Sequence, residues 1–315
     1  MKNIISFFVS IIIIVIVVLN FDVIIDTVKD IRFIDNEIVI PDSNQWRKNY
    51  EFKYFKETDD FTPSDYDDLV EIFYTIFNNG WKEFSFYCSV DYEDCIDDVK
   101  DLSNSKVFLA EMSNFVHPYN KYDGIETNVN VYFDNTIEVI VKLKMNYTDE
   151  EIETIDREIV QLMSDNINDT MSDREKIKVM HDVIINKTKY DKLKSDNGNS
   201  PYDSERITGL LHEHYAVCSA YTEIMAVILD KLDIPNFMIA SPGIDDEEGH
   251  IWNAVYLDNR WYHLDLTWDD PITTSGRNVL LHDYFLITDN DLTKLDIAAT
   301  KRKHIYNRDI YLEFN

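Results

Sequence analysis

Two segments that lie close together in the chain have a geometry readable from their residues, and they limit what the rest can be. Residues 216–234 run AVCSAYTEIMAVILDKLDI, and residues 249–271 run GHIWNAVYLDNRWYHLDLTWDDP. In the first, Tyr221, Ile224, Met225, Ile228, Leu229 and Leu232 recur at helical spacing. Pro235 stops the pattern, because proline disfavours helix at the residue before it. Cys218 then falls in the first turn, where free N–H groups and the positive end of the helix dipole favour a thiolate over a thiol. Cysteine is more often an inert core residue, so this position needs a nearby base before it reads as a nucleophile.

The second segment supplies that base. His250 to Leu257 and Arg260 to Thr267 alternate and are rich in β-branched and aromatic residues, as strands are. Asp258 and Asn259 between them tolerate the positive φ of a two-residue hairpin turn. With those two as the loop, Leu257 faces Arg260, Trp252 faces Asp265 and His250 faces Thr267. His250 and Asp265 become diagonal neighbours on one face, roughly 7–8 Å apart at Cβ, within reach of a side-chain hydrogen bond. A loop one residue longer without a bulge would put them on opposite faces. Cys218 then serves as nucleophile, His250 as the group that takes its proton, and Asp265 as the group that orients the imidazole. The Cys218 N–H at the helix start can donate to a developing oxyanion.

These residues resemble the core of the transglutaminase-like superfamily, the papain-related cysteine enzymes of many microbial surface proteins. Such cores combine a cysteine at a helix start, a His-x-Trp-Asn strand and a Trp-Tyr-x-x-Asp-x-Thr-Trp-Asp-Asp-Pro strand. The chain has Cys218 with Tyr221, then His250, Trp252 and Asn253, then Trp261, Tyr262, Asp265, Thr267, Trp268, Asp269, Asp270 and Pro271. Upstream, His181-Asp182 on a helix and Tyr190-Asp191 continue the likeness, which spans roughly residues 170–290. Many relatives carry Gly where this chain has Ala216 and Ala220, and the added methyl groups would narrow access to the thiol. The resemblance implies an α+β fold: a helical lobe bearing the cysteine packed on an antiparallel sheet bearing His250 and Asp265. It implies catalytic roles for Cys218, His250 and Asp265 and peptidase or acyltransfer chemistry through a thioester, with no cofactor. Trp252, Tyr221 and Trp268 are expected to meet the substrate.

The rest of the chain organises around that domain. Residues 1–26 read as an uncleaved signal-anchor. Lys2 precedes a run from Ile4 to Leu19 made almost wholly of Ile, Val, Phe and Leu, slightly short of the roughly 20 residues that span a bilayer. No small-residue cleavage site follows, and the positive end belongs in the cytoplasm. A single-pass membrane protein with its catalytic domain outside the cytoplasm is expected. Residues 27–60 read as a linker or stalk, with a strand such as Ile31 to Ile40. Residues 61–147 read as a small α/β domain, with a helix opened by Thr62-Pro63-Ser64 and ended by Gly80, a strand from Glu83 to Val90, and a hairpin around Asp134-Asn135. Residues 148–170 form a connecting helix opened by a capping box, and residues 171–315 form the main domain.

Asp and Glu number 59 against 30 Lys and Arg, a formal charge of −29, which argues against nucleic acid or anionic lipid as a partner, because both reward basic surface. A protein or peptide substrate at the cell surface is the partner that fits. Of the three cysteines, Cys88 and Cys95 are close enough in sequence to pair outside the cytoplasm and leave Cys218 free. Three free thiols is the alternative, since geometry decides. Two rival functions are set against the thiol enzyme. One is a surface binding module that kept the fold and lost turnover. The other is a metal hydrolase using His212, His214, Cys218, His250 and His263, in which His214 and Cys218 share a helix face.

Overall fold

The structure, a computed structural model, describes residues 38–242, 249–272, 279–298 and 304–315. The proposed signal-anchor of residues 1–26 and the strand from Ile31 lie outside the described residues. Within them, no helix is long and apolar enough to cross a membrane.

Residues 40–60, expected as a stalk, are packed instead. Phe52 and Phe55 are 2% and 1% exposed, and Phe52 meets Phe115 and Phe237 edge-on. Aromatic side chains of that size go to the interior when a groove is available. Helix α1 (Tyr66–Asn79) follows. Its cap is Asp65, whose side chain accepts from the Asp68 N–H, rather than the Thr62–Ser64 turn. Gly80 ends it at φ 67°, where a side chain would collide with Asn44. Strand β1 (Glu83–Tyr87) is shorter than expected and leads to a Cys88–Cys95 disulfide that ties it to helix α2 (Cys95–Asn104). Helix α3 (Lys106–Ser113) and strands β2 (Tyr122–Val131) and β3 (Ile137–Met145) complete an antiparallel sheet of order β1-β3-β2.

Two capping boxes then fold as their sequences require. Thr148 with Glu151 opens α4 (Asp149–Asn166), and Ser172 with Glu175 opens α5 (Asp173–Lys187). Ile177, Met180, His181 and Ile184 form the buried stripe of α5. A two-residue parallel pair, β4 (Lys189–Tyr190) with β5 (Tyr215–Ala216), brackets α6 (Lys192–Asn197). The Gly/Asn/Ser-rich stretch after Asp191 is thus partly helical, because the Asp191 side chain caps the Lys194 N–H.

Helix α7 (Cys218–Lys231) is the centre of the core, buried from Ala220 to Leu229 and packed on β6 (Asn236–Ser241) and β7 (His250–Leu257). With β8 (Arg260–Leu264) these make a second antiparallel sheet of order β6-β7-β8. Asp258 and Asn259 adopt φ 52° and 62°, and Leu257 pairs with Arg260. The expected register holds as far as Asn253 opposite Leu264. Beyond it the strand stops short of Thr267. Asp265 Oδ1 accepts from the Thr267 and Trp268 N–H groups at 2.9 and 3.2 Å and starts the one-turn helix α8 (Leu266–Asp269). Helix α9 (Asp289–Ala298) packs against β8. The result is a mixed α and β architecture with antiparallel sheets and the cysteine-bearing helix laid on one of them.

Candidate active site

Cys218 is the first residue of α7, half-buried, and the free cysteine among the described residues. The chain approaches through Val217, whose N–H donates to the Ser204 carbonyl at 2.8 Å. Val217 is the cap residue and makes no side-chain bond to the helix start. Valine is a poor cap, so the leading N–H groups of α7 are available to an anion in the cleft.

His250 begins β7, opposite Ser241 on β6. Its Nε2 lies 2.5 Å from Asp265 Oδ2, and Cys218 stands beside the ring. Burial of His250 works against a charged ring. The Asp265 carboxylate and the bonds to Asp265 and Cys218 outweigh it, and the imidazole is pushed up to about 10. Burial would likewise raise Asp265, but the charge of His250 and the hydrogen bonds from two imidazoles hold it well below the usual carboxylate range. Cys218, His250 and Asp265 are therefore brought together as a chain of contacts, although Asp265 arrives as a helix cap and not as a strand residue.

Cys218 and His250 open onto a cleft of about 690 Å³, bordered by Tyr190, Lys194, Glu205, Trp268 and Asp270, with Asp265 buried behind them. Lys194 and Glu205 form an ion pair at 2.7 Å on its rim. Of the aromatic residues expected to meet substrate, Trp268 borders the cleft and the other two do not. Trp252 is fully buried with its indole N–H on His263 Nδ1 at 3.0 Å, and its ring lies parallel to that of His250. Tyr221 is fully buried with its hydroxyl donating to Asp270 Oδ2 at 2.6 Å. Both brace the site from behind. The methyl groups of Ala216 and Ala220 are also fully buried in the core, so they do not narrow access to the thiol.

The five residues of the metal reading do not converge. His212 Nε2 pairs with Glu158 at 2.9 Å, His214 is an exposed left-handed residue at φ 62°, and His263 is stacked on Phe314 behind Trp252. Burial lowers His263, so it is a neutral prop and not a rival base. His181 is buried between Asp182 and Asp269, at 2.9 and 3.1 Å, and ties α5 to α8.

Two features were not foreseen. His304 Nε2 also reaches Asp265 Oδ2, at 2.9 Å, from the far end of the chain. Asp270 lines the cleft and is pushed up to about 6 by burial, against the Tyr221 hydroxyl that favours its charge. Asp270 was visible as part of the Trp-Asp-Asp-Pro run, whereas nothing around Lys303-His304-Ile305 marks the histidine.

Residues 161–266 match the family model of the transglutaminase-like superfamily. No curated protein matches the chain. Solved structures similar to it include a TGase, at 18% identity over 45% of this chain and 44% of that one, with a TM-score of 0.34. A candidate cysteine protease from Cytophaga hutchinsonii matches at 13% identity over 50% of this chain and 65% of that one, with a TM-score of 0.29. The periplasmic domain of TgpA from Pseudomonas aeruginosa, bound to ethylmercury, matches at 11% identity over 49% and 70%, with a TM-score of 0.29. The chain thus spans less than two thirds of the length of the first two structures.

Proposed function

From a chain whose residues 161–266 are a transglutaminase-like superfamily domain, we propose an extracytoplasmic thiol enzyme that acts on protein or peptide amide bonds through a Cys218 thioester. The observation that carries it is the buried His250 bonded to Asp265 and lining one cleft with Cys218. That imidazole can hold the cysteine proton and return it.

In the proposed reaction the Cys218 proton passes to His250, and the thiolate sulfur bonds to the amide carbonyl carbon. The carbonyl π electrons move to oxygen, where the Cys218 N–H and the open start of α7 meet the negative charge. When the oxyanion collapses, the C–N bond breaks and the His250 imidazolium gives its proton to the departing amine. Water or a second amine then attacks the thioester, His250 takes the proton of that nucleophile, and the thiolate leaves. Hydrolysis and acyl transfer differ only in which nucleophile completes the second half.

Location outside the cytoplasm is supported by the Cys88–Cys95 disulfide and by the apolar run near the N-terminus. The test is turnover of unstructured peptides followed by mass spectrometry, with and without a primary amine in millimolar excess. Free acid product reports hydrolysis, and an amine adduct reports transfer. Cys218→Ala is expected to abolish both, and unchanged turnover in that variant would sink the assignment. A folded wild-type protein with no turnover and an unreactive Cys218 would leave the binding module in its place.

A further inference from the structure

Asp265 is the most heavily bonded carboxylate of the site. Its Oδ1 takes two backbone N–H groups at 2.9 and 3.2 Å, and its Oδ2 takes two imidazoles, His250 at 2.5 Å and His304 at 2.9 Å. His304 is itself clamped. Its ring Nδ1 lies 2.7 Å from Asp296 Oδ1, and its backbone N–H donates to Asp296 Oδ2 at 3.1 Å. With a carboxylate on each ring nitrogen, His304 satisfies both bonds only when both nitrogens carry protons. Burial opposes that charge, but the two carboxylates prevail and the ring titrates above its ordinary range.

The imidazoles of His250 and His304 are 5.2 Å apart, so each cation disfavours the other. The other groups facing them are few. Tyr284 stacks on His304 with its phenol kept neutral by burial, and Trp252 and Trp268 close the remaining sides. His263, neutral, lies beyond Trp252, and Cys218 faces His250 alone.

We propose that His304 is a positioning residue for the Cys218–His250 pair. Held by Asp296, it shares Asp265 Oδ2 with His250 and limits how tightly that carboxylate grips an imidazolium that must later surrender its proton. This rests on the thiol-enzyme reading above. An orienting acid that serves one imidazole alone gives that ring its full charge, whereas Asp265 Oδ2 is shared by His250 and His304. The second imidazole divides the carboxylate between two cations and fixes its plane.

The test follows the ring nitrogens of the full-length chain labelled with 15N-histidine, titrated in parallel with the rate of Cys218 alkylation by iodoacetamide. His304→Gln keeps an N–H donor toward Asp265 and removes the charge. Asp296→Asn weakens the charge on His304 without touching Asp265. In His304→Gln the His250 midpoint is expected to rise by about one unit, and in Asp296→Asn by less. If the midpoint stays in place in both variants while the melting temperature falls, His304 is a core residue and the proposal is overturned. A separate control keeps the two readings apart. If His250→Ala leaves the alkylation profile of Cys218 unchanged, the thiol–imidazole pair itself is wrong, whatever His304 does.

Discussion

His250 is buried, yet its ring favours the charged form. The balance is set by one carboxylate. Asp265→Asn keeps the shape and the backbone cap while removing the charge. Burial is then opposed by Cys218 alone, and the His250 midpoint is expected to fall from about 10 toward the ordinary 6.5 or below it. Ring 15N shifts would read the change directly. Turnover, once a substrate is found, should drop on the order of 10³–10⁴-fold, the scale seen when an orienting aspartate is neutralised. The same ring links stability to pH. Because its folded value lies above its unfolded one, it stabilises fully below about 6.5 and progressively loses that contribution as pH rises toward about 10. Wild-type melting temperature is expected to decline across that window more steeply than that of Asp265→Asn. Parallel declines would show that the charge of His250 does not contribute.

At the scale of elements, the hairpin was legible because its turn chemistry and its alternation agree. Asp258-Asn259 accepts positive φ at both positions, and that determines which residues of β7 and β8 share a face. The capping boxes of α4 and α5 were legible for the same reason: a local hydrogen bond has a local spelling. What failed was everything decided by distant partners. The strand ending at Leu264 instead of Thr267 depends on Asp265 capping α8, with its own N–H held by the Tyr284 carbonyl. His304 reaches Asp265 across 39 positions of sequence, and no periodicity records that contact. The hairpin reading can be tested by its register. One glycine inserted between Asp258 and Asn259 moves one strand by a residue and turns Asp265 away from His250. The variant is expected to stay folded through α7 and β6, while Cys218 alkylation becomes that of a thiol without an imidazole partner. Retained His250-dependent reactivity would mean that the turn does not set the register.

At the scale of the molecule, residues 40–60 act as a strap over the core, and its anchor is a buried lysine. Lys48 Nζ lies 2.7 Å from Asp230 Oδ1 and 3.1 Å from both the Asn236 carbonyl and its side-chain oxygen. Asp230 lies in the last turn of α7 and Asn236 begins β6, so this contact ties the strap to the two elements that carry and support Cys218. Desolvation of such a pair cancels much of its attraction, so the pair contributes more to placement than to net stability. Removing one partner is different, because it leaves a charge buried without its counter-ion. Lys48→Ala is expected to cost about 3–5 kcal/mol in denaturant unfolding, whereas the double change Lys48→Met with Asp230→Leu should recover most of that loss. If the strap were a free stalk, neither variant would move the unfolding midpoint. If it holds the start and end of α7 in register with the sheet, the single variant should also broaden the ring signals of His250, which lies far from Lys48 in sequence and on the opposite end of the same helix–sheet layer.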